Sequence, residues 1–113
     1  MSARAAERAA AKAAPVFAAL GDSTRLALLA RLVDGRPRSI AQLTEGTGLT
    51  RQGVRKHLHV LEGAGVVSCA PAGRERRFAL ERDAIEKARS YLDRVSAQWD
   101  DALSRLKAHL EEA

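Results

Sequence analysis

Cysteine occurs once, at Cys69, so the chain has no internal disulfide and cannot be one of the small scaffolds stapled by paired thiols. Aromatic residues make up only 4% against 46% hydrophobic residues overall. The core must therefore consist of Leu, Val, Ile and Ala, a composition that suits packed helices better than a large sheet sandwich. No apolar stretch approaches the roughly 20 residues of a bilayer-spanning helix, and no N-terminal run has the length of an export signal. A soluble, cytoplasmic protein is expected. With 113 residues the chain builds one core, too little for a catalytic domain plus a regulatory one. Ser, His and Asp occur without a nucleophile turn, a Gly-rich phosphate loop or a metal signature, so no enzyme and no cofactor are expected.

What the chain does have is positive charge, nineteen Lys and Arg against fourteen Asp and Glu, a net of +5. The charge is uneven. Residues 49–82 carry seven basic and three acidic groups, a net of +4, whereas residues 83–113 carry five and seven, a net of −2. Double-stranded DNA is a natural partner for the middle third, and the last third should do something else.

The first fourteen residues are dominated by alanine and end at Pro15, a residue that opens a helix well and kinks one it interrupts. Residues 1–14 are thus an Ala-rich arm or a helix extension, and Pro15 to Leu20 is expected to be helical. Asp22 caps the next helix, whose apolar face holds Leu26, Leu28, Leu29 and Leu32 and which stops before Asp34 and Gly35. Ser39 with Gln42 three positions on makes a capping box, opening a short helix with Ile40 and Leu43 inward. It ends in a Gly46-Thr47-Gly48 turn. Thr50 then caps a second helix to about Gly63, and two helices joined by a tight glycine turn are the helix-turn-helix arrangement.

At 100° per residue Val54, Leu58 and Leu61 share one side of that second helix, while Gln52, Arg55, Lys56 and His59 share the other, with Arg51 at the margin. Arg and Lys donate to guanine or phosphate, Gln pairs with adenine, and an N-terminal Thr meets phosphate. An ordinary solvated helix face offers the same residues; the capped helix and tight turn before it favour a reading face. Beyond Gly65, Val66 to Ala70 is strand-like, Pro71-Ala72-Gly73 is a turn, and Arg74 to Leu80 holds a second strand with Phe78 and Leu80 inward. This hairpin, a wing, carries Arg74, Glu75, Arg76 and Arg77 toward its tip, suited to a DNA backbone or a narrow minor groove.

Residues Val16 to Leu29, Ile40 to Leu43 and Leu49 to Val66 carry the motifs Leu-Gly-Asp-x-Thr-Arg-Leu and Lys-His-Leu-x-Val-Leu-Glu-x-Ala-Gly, followed by a Gly-Arg-Glu-Arg wing. Over roughly residues 15–80 the chain resembles the ArsR-type winged-helix repressors. The resemblance implies a homodimer, operator binding and repression. It departs from the common pattern at Gly53, where Ala or Thr is usual, and at Arg55, where Ser often stands, so the operator does not carry over. Many relatives sense metals through paired cysteines in the first motif helix or Asp and His pairs on the C-terminal helix. This chain has neither, only His109 with Glu112 one turn on, so no metal is expected and the resemblance points to a branch that does not sense metals. A small-molecule effector is unknown.

His57 lies on the docking side as a packed, hydrogen-bonded residue, His59 faces DNA or solvent, and Cys69 is a small buried residue of the wing. In the last third, Ile85, Ala88, Leu92, Val95, Trp99, Ala102, Leu103, Leu106 and Leu110 step by threes and fours along one helix. A helix of about 40 Å at 1.5 Å per residue exceeds what motif and wing can cover, so the stripe is expected to pair with a second copy. The expectation is a mainly α winged helix-turn-helix, with a core at residues 15–82 and dimerisation through terminal helices, chiefly residues 83–113. The dimer interface is expected at Ile85, Leu92, Val95, Trp99, Leu103, Leu106 and Leu110. The DNA contacts are expected at Ser39, Thr50, Arg51, Gln52, Arg55, Lys56, His59, Arg74, Arg76 and Arg77. The competing reading is a winged-helix module that binds protein without DNA; it calls for an apolar exposed helix face, and this one is basic.

Overall fold

A computed structural model describes residues 2–112. Among the described residues five helices and three short strands follow in the order α1 (Ala3–Leu20), α2 (Ser23–Ala30), β1 (Arg38–Ser39), α3 (Ile40–Thr44), α4 (Arg51–Gly63), β2 (Val67–Ala72), β3 (Glu75–Leu80) and α5 (Arg82–Glu112). The fold is mainly helical with a small antiparallel sheet.

The alanine-rich segment is a true helix extension. Ser2 caps it, accepting from the Ala5 amide at 3.1 Å, and α1 runs unbroken through Pro15. The expected boundary between an arm 1–14 and a core from residue 15 therefore falls inside one helix. Proline removes one amide donor, but alanine's propensity and packing on α5 carry the helix across it. The Phe17 and Tyr91 rings, 5.8 Å apart at 52°, mark that packing.

Asp22 caps α2 by accepting from the Arg25 amide at 3.0 Å, and the box at Ser39 and Gln42 caps α3 with both reciprocal bonds. Leu28, Leu29 and Leu32 join Leu43, Val54, Leu58, Leu61, Val66, Val67 and Phe78 in one core. Leu26, expected among them, is 51% exposed. At 100° per residue it points roughly 110° away from the mean direction of Leu28 and Leu29, so the eight-residue α2 cannot bury it with them, and Leu32 lies beyond the end of that helix.

Gly46 and Gly48 sit at φ of 75° and 73°, the left-handed region that lets the chain reverse tightly between α3 and α4. The wing is a three-stranded sheet in the order β1-β3-β2, with Arg38 opposite Phe78 and Cys69 opposite Phe78 on the other side. β1 has no sequence signature, because two residues show no alternation. The expected turn at Pro71-Ala72-Gly73 is shifted: Pro71 and Ala72 belong to β2, and the reversal is at Gly73 and Arg74. Proline is tolerated there because β2 is an edge strand, with no further strand on its outer side among the described residues.

The first two turns of α5 close the core, where Ile85 packs and Ala88 is buried. Ile85 is thus spent within its own chain and leaves the expected dimer stripe. Beyond it, Val95 is half-buried, while Leu92, Leu103, Leu106 and Leu110 are exposed and Trp99 is 65% exposed.

Candidate nucleic-acid interface

The second motif helix is oriented from inside. Val54, Leu58 and Leu61 are fully buried, which turns Arg51, Gln52, Arg55, Lys56 and His59 to solvent, as their spacing predicts. They form two rows. Arg51 and Arg55, four apart, face the wing; Gln52, Lys56 and His59 run along the outer side.

Thr50 caps the helix, its Oγ1 accepting from the Gly53 amide at 3.0 Å, which leaves its own O–H free to donate. The unpaired amides and positive dipole end of α4 lie beside Arg51, a local environment for a phosphate. Between α4 and the wing runs an open groove of about 450 Å³ where Arg51 and Arg55 meet Arg74 and Arg76. The fold thus joins four sequence-predicted cations from two separate elements.

Ser39 does not join them. It lies at the floor of that groove, is only 4% exposed, and its Oγ accepts from the Gln42 amide at 3.2 Å. The same residue that ends β1 caps α3, so its hydroxyl is turned inward and the expected DNA contact is corrected. The wing's cations are also unequal. Arg74 stands at the turn, Arg76 Nε donates to Cys69 Sγ at 3.2 Å, and Arg77 pairs with Glu75 at 3.1 Å. Arg77 sits in mid-strand opposite Ala70 rather than at the tip.

Three other arginines are half-buried and spend their donors within the fold. Arg25 donates to the carbonyls of Ala18 and Ala19 at the end of α1. Arg31 donates to the carbonyls of Leu43 and Glu45, tying α2 to the start of the helix-turn-helix turn. Arg38 donates to the Arg31 carbonyl at 2.6 Å and grips Asp34 with two bonds of 2.8 and 2.7 Å. That grip, with the Arg36 amide, holds the Asp34 carboxyl well below the usual carboxylate range. Each guanidinium satisfies carbonyls that end a helix or lead out of one. Sequence reasoning missed these roles; the one local signal was Asp34 and Arg38 at i,i+4.

It also missed Leu49 and Val60, which are exposed at the start and on the outer side of α4. His57 is half-buried on the docking side, as expected, with Nδ1 3.4 Å from Arg25 and 3.8 Å from Asp22. Among the described residues no three His, Cys, Asp or Glu side chains come together as a metal site, and no helix is long and apolar enough to cross a membrane.

A tight-turned helix pair, an outward basic second helix and an adjoining hairpin define the class: this is a winged helix-turn-helix DNA-binding protein. A family of helix-turn-helix domains matches residues 20–70. The transcriptional regulator Rv2034 of Mycobacterium tuberculosis is 36% identical over 86 residues, covering 76% of this chain and 77% of its own. An ArsR-like transcriptional regulator from Rhodococcus sp. RHA1 superposes with a TM-score of 0.77 at 35% identity, over 87% of this chain and 92% of that one. The homodimeric winged helix-turn-helix DNA-binding domain of Mb0332 from Mycobacterium bovis gives a TM-score of 0.64 at 26% identity, over 87% and 88%. The chain belongs to the ArsR-type family and is a DNA-binding transcriptional regulator; a protein-binding module without DNA is not favoured.

Proposed function

We propose that this regulator is a repressor that works as a homodimer on an inverted-repeat operator, occupying a promoter in the cytoplasm and catalysing no reaction. The observation that carries this reading is the outward row of Arg51, Gln52, Arg55, Lys56 and His59 beside the arginines of the wing. Arg55 and Gln52 are the base-reading side chains, Lys56 and His59 bind base edge or phosphate, and Thr50 with Arg51 holds phosphate at the helix end. Arg74, Arg76 and Arg77 follow the backbone or the neighbouring minor groove. The exposed Leu49 and Val60 add apolar surface suited to thymine methyl groups.

Pairing rests on α5. Leu92, Trp99, Leu103, Leu106 and Leu110, with the half-buried Val95, form a stripe that one chain leaves largely uncovered, and Mb0332, of the same fold, is homodimeric. A two-fold pair sets the two α4 helices about one DNA turn apart, roughly 34 Å. Domain roles follow: residues 15–82 bind DNA, and within residues 83–113 α5 dimerises beyond its first two turns, which close the core. Selection of bound duplexes from a random pool tests this directly. It should return a palindrome with half-sites about 10 base pairs apart, and recovery of no sequence preference would refute it.

A further inference from the structure

Behind the reading face, Asp22, Arg25 and His57 form a polar joint that DNA contact does not explain. Arg25 Nε donates to the Ala19 carbonyl at 2.6 Å and one terminal nitrogen donates to the Ala18 carbonyl at 3.3 Å, closing the end of α1. Its other terminal nitrogen stands 3.4 Å from His57 Nδ1 on α4. Asp22 Oδ2, which caps α2 by accepting from the Arg25 amide, lies 3.8 Å from that same imidazole nitrogen. A planar guanidinium can serve two helices at once; a lysine ammonium on the same stem cannot reach both with matched geometry.

We propose that Arg25 is a positioning residue for operator recognition, one guanidinium tying α4 to the end of α1, and that a proton on His57 unties it. The proposal rests on the DNA-reading role of α4. With a neutral ring, Nδ1 accepts from Arg25. With a proton there, Nδ1 becomes a donor, the imidazolium repels the guanidinium, and Asp22 becomes its partner. The charged groups facing the ring are Arg25 of α2 and Asp22, the N-cap of that helix, while the Ala18 and Ala19 carbonyls of α1 meet Arg25. Each protonation state of His57 therefore has its own partner, and imidazole is the side chain that changes charge between about pH 5 and 8. Because α1 also packs on α5 through Phe17 and Tyr91, the joint links the helix carrying the dimer stripe to the helix that reads DNA.

The test is fluorescence anisotropy with the selected operator and with an unrelated duplex of equal length, from about pH 8 to about pH 5.5. The ratio of the two affinities should fall several-fold toward acid. His57→Asn, whose side-chain oxygen keeps an acceptor in the place of Nδ1 without taking up a proton, should hold the ratio flat. Arg25→Lys should lower the ratio about tenfold at the alkaline end and remove its pH dependence, with circular dichroism and melting showing a folded protein. A ratio that is independent of pH in the unmodified protein, or a His57→Asn profile that superposes on it, overturns the joint. Discrimination absent at every pH instead removes the reading role of α4, and the proposal falls with it.

Discussion

Thr50 Oγ1 accepts the Gly53 amide at 3.0 Å, and a Cβ placed on Gly53 would stand 3.2 Å from that same oxygen. The cap and the missing methyl therefore compete for one small space. Glycine costs a helix up to about 1 kcal/mol relative to alanine, more than a shift of a few tenths of an ångström in an exposed hydroxyl. Gly53→Ala should raise stability by somewhat less than about 1 kcal/mol, seen as a melting midpoint a few degrees higher. A lower midpoint would show that the cap cannot yield.

Ser39 serves the fold. Losing an N-cap hydroxyl costs about 1 kcal/mol, so Ser39→Ala should lower the unfolding free energy by about that amount, read as a lower urea midpoint at unchanged slope, while the folded protein keeps its operator affinity. A drop in affinity without a loss of stability would restore Ser39 as a DNA contact.

Reading and positioning should separate on α4 and the wing. Arg55→Ala should cost about 1 to 3 kcal/mol on the operator and relax preference at one base pair per half-site. Arg77→Ala should weaken all duplexes alike, and because Glu75 already neutralises part of its charge its effect should be smaller than that of Arg76→Ala. Arg76→Ala should lower the slope of log affinity against log salt by about one. Titrations at several ionic strengths on operator and random DNA distinguish these outcomes.

Leu106→Asp places a charge in the α5 stripe. Sedimentation should show monomers, and operator affinity should collapse although α4 is untouched, because each half-site alone is weakly held. A variant that stays dimeric, or a folded monomer with undiminished affinity, moves the interface elsewhere.

Acid should destabilise the fold through Asp34 and Asp22. Arg38 and the Arg36 amide hold the first below the ordinary 3.8, and the Arg25 amide does most to hold the second below it. Both carboxylates are lowered in the folded state, so their contribution is present above about pH 4 and is lost as pH falls through the folded values. Asp34→Asn should flatten that acid limb in melting experiments between pH 2 and 5, roughly the range set by these groups.

The amino-acid sequence by itself determined the caps at Asp22, Ser39 and Thr50, the inward face of Val54, Leu58 and Leu61, and the outward basic row of α4, because these depend on residues within a turn or two of one another. Tertiary structure alone decided which cations remain free. Arg25 meets His57 thirty-two positions away and Arg31 meets Glu45 fourteen away, contacts that no local period encodes. It also decided that α1 continues through Pro15 against α5 and that Ser39 is buried as the last residue of a two-residue strand paired with β3. Local periodicity sets the face a side chain lies on, whereas burial and charge pairing depend on what the rest of the chain brings to that face.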